Sequence, residues 1–324
     1  MPRARALASP ASLKGVLSAA AAATALAEGF QRCGVEAVEL PVADGGEGTA
    51  EVLAGALGGE WRSATVSDPL GRPVLARYLM LPGRSAVVEA AQAIGLPLLQ
   101  PDERDPLRAS SRGLGELIQV ALGERLTSLL VCIGGSATVD GGAGLREVVD
   151  SLPVETVVAC DVRNPLLGER GAARVFGPQK GATPEAVEKL EARLAGMDEL
   201  RPFADLPGAG AAGGLGAALA ALGAQLVPGA ELVLDLVGFR ERLLDANLVV
   251  TGEGKVDRTS AEGKAPGAVV RACREEGVRC VVFGGVIEEE LGGADHEELS
   301  GNPERAREDL IALGERLGTD LTGA

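Results

Sequence analysis

Short, nearly unbroken apolar runs separated by helical stretches constrain this chain more than any other feature. The runs are AVEL (37–40), AVVEA (86–90), SLLVCIG (128–134), ETVVACDV (155–162), ANLVVTG (246–252) and RCVVFGG (279–285). Continuous apolar runs of this length suit strands covered on both faces. Between them, 18–29, 111–123, 184–196, 212–224 and 265–275 read as helices, and a helix over 303–317 closes the chain. The alternation predicts an α/β fold with largely parallel sheets. At 324 residues and 46% apolar, the chain is long enough for two domains. Residues 289–306, rich in Gly, Glu and Asp, are expected to form an exposed loop.

Charge and composition narrow the function classes. A net charge of −15 argues against nucleic-acid or anionic-membrane binding, which needs basic patches. It does not exclude an anionic substrate held by a few local lysines. Trp61, Tyr78 and five Phe are too few for base-stacking platforms. The five cysteines, Cys33, Cys132, Cys160, Cys273 and Cys280, form no C-x-x-C pair, so a reducing, cytoplasmic setting is expected. The single histidine, His296, lies in an acidic stretch that reads as solvated surface rather than part of a hydrolytic triad. The opening 29 residues imitate a secretory signal. Pro10, Ser12 and Lys14 interrupt it, however, and its apolar run is alanine, so a first strand and helix are expected instead. No segment has the apolar length of a membrane span.

Glycine, with 46 residues, gathers at the turns that follow strands. ADGGEGT (43–49), IGGSATVDGGAG (133–144) and TGEGKVDRTSAEGKAPG (251–267) combine glycines, hydroxyls and carboxylates at strand carboxyl ends, where α/β sheets place ligands. Glycine lets amides turn toward phosphate. Carboxylates in the same loops would repel phosphate unless a metal such as Mg²⁺ intervenes. Lys14, Lys180, Lys255 and Lys264 supply the opposing charge. Together these features point to phosphoryl transfer. The plainer reading of each loop alone is a tight turn with solvated acids.

Standard motifs do not account for the loops. Before Gly263-Lys264 the P-loop's first glycine is replaced by Arg258, and Ala265 follows the lysine. Ser136 lacks the nucleophile-elbow pattern, because Thr138 stands at its last position. GAGAAG (208–213) matches G-x-G-x-x-G, but DELRPFADLP precedes it rather than a strand. It reads better as a glycine-rich entry into an apolar helix with close backbone packing, which leaves an oxidoreductase as the weakest reading.

Six segments occur in order: PVADGGEGT, SDPLGRPV (67–74), IGGSATVDGGAG, ACDVRNPLLGERGAARVFGPQKGATPEAV (159–187), PGAGAAGGLGAAL (207–219) and VVTGEGKVD (249–257). With these the chain resembles the bacterial glycerate kinase family, the type outside the P-loop group, from about residue 8 to 285. The resemblance implies ATP- and Mg²⁺-dependent phosphorylation of D-glycerate, at the 2-hydroxyl, giving 2-phosphoglycerate. It implies two α/β domains, here expected as 1–65 with 245–324 and an inserted 66–244, with the active site in the cleft between them. The partners are then D-glycerate and ATP; a homo-oligomer is compatible with the sequence. The chain departs from the family pattern at Ala11, where an acid is usual, at Val139 for Asn and at Thr259 for Gln. Its 145–158 connection is also short. These departures motivate an alternative, a catalytically weakened relative that binds nucleotide or hydroxy acid.

On this basis Lys14, Asp44, Asp140 and Lys264 are the catalytic candidates, and Ser12, Asp161, Arg163, Asn164 and Lys180 the substrate-binding ones. Gly45, Gly46, Gly48, Thr49, Gly134, Gly135, Ser136, Thr138, Gly252 and Gly254 are candidates for phosphate contact. Glu47, Glu253 and Asp257 are the candidate metal ligands. Each has a structural counterpart: a solvated lysine, a turn-forming Asp44, a helix cap at Asp140 and an Asn-Pro turn at Asn164.

Overall fold

In the computed structural model, which describes residues 4–323, the chain divides into two compact units. The first comprises the chain up to Asp44, Glu51–Ala56 and everything from Ala230 on; the second comprises Gly45–Ala50 and Leu57–Gly229. Eleven strands run through the described residues: β1 (Arg5–Ala8), β2 (Glu36–Glu39), β3 (Glu60–Ser67), β4 (Pro73–Leu81), β5 (Ser85–Glu89), β6 (Ser128–Cys132), β7 (Glu155–Ala159), β8 (Gln225–Val227), β9 (Leu248–Val256), β10 (Arg279–Ile287) and β11 (Asp295–Glu298). The expected boundary at 65/66 would cut β3. The one at 244/245 would separate the helix Phe239–Leu243 from the helix Ala265–Glu276 on which it packs.

The first unit is built on a five-stranded sheet in the order β11-β10-β9-β1-β2, parallel throughout. From β1 the chain passes through the helix Ala19–Arg32 outward to β2; from β9 it passes through Ala265–Glu276 outward the other way, to β10. The winding direction therefore reverses between β1 and β9. Right-handed crossovers place the two helices on opposite faces. Ala6, Ala8, Val250 and Phe283 pack with Leu26, Phe30, Leu310 and Leu317 in one core. Leu7, Val249 and Val282, at alternate positions, are buried as well.

The alanine-rich run is thus a core helix, capped by Ser18, whose Oγ accepts from the Ala21 amide. Small side chains let it approach the helix Ala306–Thr322 closely. A Cβ on Gly29 would stand 2.1 Å from the Ile311 carbonyl oxygen, and one on Gly314 2.4 Å from that of Leu26. Gly29→Val or Gly314→Val is expected to cost about 1–3 kcal/mol or more through overpacking. A urea-denaturation midpoint unchanged from wild type would refute this crossing. Among the described residues no helix is long and apolar enough to cross a membrane.

The second unit holds a six-stranded sheet in sequential order β3 to β8. β5 to β8 pair parallel, and the β3–β4–β5 pairings are antiparallel, so the parallel part of this sheet carries an antiparallel edge. β3 carries polar and charged residues at most of its exposed positions, whereas β4 exposes Pro73, Leu75 and Arg77 and holds the apolar run Tyr78–Leu81. Between them, SDPLGRPV is a turn locked by Asp68. Its carboxylate accepts from the Leu70 and Arg72 amides, both at 2.8 Å, and from Arg72 Nε at 2.5 Å. Burial works to raise its pKa, but the bonds from Arg72 and Leu70 outweigh that and hold it below the usual range. The short 145–158 connection folds as one helical turn, Ala143–Arg146, and sends Val149 into the core.

Residues 289–306 are not simply a loop. β11 lies within them, pairing parallel with β10. The only histidine is spent here, His296 Nε2 accepting from the Leu291 amide at 2.8 Å.

Candidate active site

In the first unit the reversal between β1 and β9 leaves a crevice outside the strands' carboxyl ends, the expected ligand position in an open α/β sheet. A pocket of ≈ 350 Å³ occupies it. Ser12 and Lys14 reach it from the turn after β1, Glu253 and Gly254 from the end of β9, and Asp257 and Lys264 from the segment that follows. The turn is closed by Leu17 N donating to the Leu13 carbonyl, with Gly15 at φ +75°. It is tied to β9 by the Ala11 amide, which donates to the Gly252 carbonyl at 2.9 Å.

Glu253 is the most constrained of these groups. Its residue is 9% exposed. Its Oε1 accepts from Ser260 Oγ at 2.6 Å, and its Oε2 lies 3.9 Å from Lys264 Nζ. Burial pushes its pKa up; Ser260, Lys264 and Lys14 oppose the rise, and the Asp44 charge adds to it. Lys14, Asp44, Glu253 and Lys264 therefore share one electrostatic neighbourhood. Asp257 caps the helix Arg258–Glu262. Its Oδ1 accepts from Thr259 Oγ1 at 2.5 Å and the Thr259 amide at 2.9 Å, and stands 4.0 Å from Lys264 Nζ. The Thr259 hydroxyl and Lys264 hold its pKa down despite some burial. Lys264, at the N-cap of Ala265–Glu276, is thus bracketed by one carboxylate whose pKa burial raises and one whose pKa is held down. Ser260, which links Glu253 to the Asp257 cap, was not legible as a site residue; its hydroxyl neighbours in sequence carried no distinguishing signal. Gly252 serves packing, because a Cβ there would lie 2.1 Å from the Phe283 carbonyl oxygen.

The second unit gathers the other predicted residues, and several do different work from that expected. Asp140 is corrected from a catalytic acid to a loop lock. It is buried, with Oδ2 accepting from the Ser111 amide, Ser111 Oγ and the Gly144 amide, and Oδ1 from the Gly142 amide. A carboxylate so fully occupied has little capacity left for substrate. The glycines of the two loops serve mutual approach. A Cβ on Gly134 would stand 2.6 Å from Gly46 Cα, one on Gly45 2.7 Å from Ala159 Cβ, and the Gly134 amide donates to Gly45. Gly135 takes φ +77°, and its carbonyl accepts from the Leu96 amide. Thr49 is buried and donates to the Gly46 carbonyl at 2.9 Å. Glu47 is exposed, and Gly48 takes φ +91° with open space around it. Asn164 shapes a turn, donating to the Arg170 carbonyl while its own carbonyl accepts from Gly210; Arg163 is exposed and Asp161 half-buried.

Lys180, expected to bind substrate, is only 4% exposed. Its ammonium donates to the Thr138 carbonyl at 2.8 Å and to Ser136 Oγ at 3.1 Å, pinning the glycine loop from within. Burial lowers its pKa to about 7, against the pull of Asp140. Between about 7 and the ordinary 10.5 the unfolded chain holds a proton that the folded one has released. Stability therefore rises with pH across that window, by up to about 1.4 kcal/mol per pH unit from this group. Lys180→Met is expected to flatten the slope. Unfolding free energies with the same pH slope in both proteins would contradict this.

Among the described residues no three His, Cys, Asp or Glu side chains are grouped to hold a metal ion, so Glu47, Glu253 and Asp257 do not form one ligand set.

A model of the glycerate kinase family matches residues 6–152 and 146–302. The chain belongs to the glycerate kinase family. A glycerate kinase of Halalkalibacterium halodurans is 41% identical over 320 residues, covering 86% of this chain and 84% of the relative. A glycerate 2-kinase of Escherichia coli is 38% identical over 325 residues, covering 87% and 85%. A crystal structure titled a putative glycerate kinase 2 from Salmonella typhimurium superposes with a TM-score of 0.84 at 35% identity, covering 99% of each chain. Against the family pattern noted above, the glycerate kinase departures have plain structural settings. Val139 is fully buried in an apolar cluster, and Thr259 completes the Asp257 cap.

Proposed function

We propose that this family member phosphorylates D-glycerate at its 2-hydroxyl, using ATP and Mg²⁺. Membership of the glycerate kinase family carries the reaction class, a phosphotransferase with an alcohol acceptor. The observation that carries the chemistry is the pairing of Lys14 and Lys264 with the buried Glu253 at the sheet's winding reversal. The lysines attract anionic oxygens. Glu253, with its pKa raised by burial, is suited to take the proton from the hydroxyl as phosphorus–oxygen bonding begins. Ser260 holds that carboxylate in place from the opposite oxygen.

The residues present also fit a magnesium ion. Mg²⁺ is held by one or two carboxylates together with substrate phosphates and water, so a three-carboxylate cage is not required. Asp257, whose pKa Thr259 and Lys264 hold down, would hold it together with substrate phosphates and water. When bound, the ion would neutralise charge on the phosphate oxygens. Ala11 removes one acid from this neighbourhood, and Asp44, Glu253 and Asp257 leave three.

The test is an ADP-release assay with ATP, Mg²⁺ and D-glycerate, with L-glycerate as control and products resolved by phosphorus NMR. Turnover giving 2-phosphoglycerate is the expected result. A folded protein that binds ATP without turnover would favour the weakened relative, and recovery on Ala11→Asp would locate the cause.

A further inference from the structure

The pocket in the first unit is lined by more than the charged groups described above: apolar side chains from the 286–306 segment enter it, beside Asn302 and Asp309. Alongside Lys14 and Lys264, the pocket is lined by Val16, Val286, Leu299, Pro303 and Ala306. This wall is built on purpose by the edge of the sheet. β11 pairs with β10, the Leu299 amide donates to the Gly284 carbonyl at 2.8 Å, and Gly301 at φ +71° turns the chain back toward the helix Ala306–Thr322. Val286 is 47% exposed at the end of β10. A three-carbon acid has no group to place against such a surface, and the volume falls in the range of roughly 300–1,000 Å³ typical of sites for much larger ligands.

We infer that this pocket is the nucleoside triphosphate site, with the base against the Val286, Leu299 and Pro303 wall and the phosphates running toward Lys14 and Lys264. The inference rests on the kinase reading above and adds which unit, and which residues, hold the phosphate donor. Burial of an aromatic base against apolar side chains supplies affinity without specific polar contacts. Lys264 stands 3.9 Å from Glu253, so phosphates held by the lysines would bring the group to be transferred to Glu253.

Two measurements on the full-length protein test it. The first is photolabelling with an azido-substituted ATP, followed by peptide mapping. Label within 285–306 is expected; label confined to other segments overturns the proposal. The second is affinity for a non-hydrolysable ATP analogue and for inorganic triphosphate. Val286→Gln, at a half-exposed position, is expected to weaken the analogue about fivefold or more and leave triphosphate within about twofold. Lys14→Ala is expected to weaken both about tenfold. An analogue affinity unchanged by Val286→Gln, or no analogue binding by the wild type, overturns the site. Label in 285–306 without glycerate turnover would overturn the proposed function and leave this site standing. Turnover with label elsewhere would do the reverse.

Discussion

Glu253→Gln is expected to lower kcat by a factor of about 10²–10⁴ in a protein that still folds, the range over which a positioned proton acceptor contributes. Gln matches Glu in size, and its carbonyl oxygen can still accept from Ser260 Oγ, so the 2.6 Å contact that holds the side chain survives. What is lost is the oxygen facing Lys264, as a base. Because burial raises the Glu253 pKa, the acid limb of the wild-type kcat/KM profile should lie above the ordinary glutamate value of 4.5. The sign follows from the role. A base must be deprotonated, so activity rises with pH through that limb, and the limb should vanish in the residual activity of the variant. Full activity in Glu253→Gln, or the same limb in both proteins, would remove Glu253 from the chemistry and return the role to Asp44.

Gly213→Val should prevent the second unit from folding stably, at a cost of about 4 kcal/mol or more. Ala212, Gly213 and Gly214 take φ of +52°, +74° and +96° in succession, a left-handed turn inside the segment Ala211–Ala221. The turn presses this segment against the loop that carries Thr138 and Asp140. A Cβ on Gly213 would stand 2.1 Å from the Thr138 carbonyl oxygen, where the neighbour is backbone and cannot swing away. The Gly213 carbonyl also accepts from the Gly141 amide at 3.0 Å. Gly223→Ala is the control, since Gly223 has φ +93° and open space around it. It should cost only the backbone strain, about 1–2 kcal/mol. Thermal unfolding of both variants decides the matter: equal losses would mean that conformation alone, and not the close approach, sets the requirement for glycine.

GAGAAG shows what the sequence could and could not convey. The absence of a preceding strand correctly turned it from a nucleotide fingerprint into a packing element. The strands β2, β5, β6, β7, β9 and β10 were legible in outline as apolar runs, and β1 only as the first strand expected in place of a secretory signal. The β3–β4 hairpin and the edge strands β8 and β11 were not: β3 and β11 carry charge and imitate loops, Arg77 interrupts β4, and β8 is only three residues long. The site was legible as chemistry but not as partition. Asp140 and Asp257 stand in similar glycine-rich contexts; only the fold reveals that one is saturated by amides and the other brackets a lysine. Lys180 resembled Lys14 in sequence, and its burial depends on the distant residues 136–138 folding over it.

The place of β1 in the first sheet bears on how the chain is made. Its register joins Ala6 to Leu248 on one side and Ala37 on the other. As the chain emerges from the ribosome, β1 and β2 can pair early, but the neighbour that makes β1 an interior strand arrives only after the whole of 57–229 has been synthesised. The second unit, contiguous over that span apart from Gly45–Ala50, is free to fold first. The first unit closes last, through a contact of very long sequence separation, the kind that slows folding. The crevice between β1 and β9 that collects Lys14 and Glu253 cannot exist before that final closure, so on the proposed assignment of the site nascent chains are expected to be inactive until the β9 segment is in place.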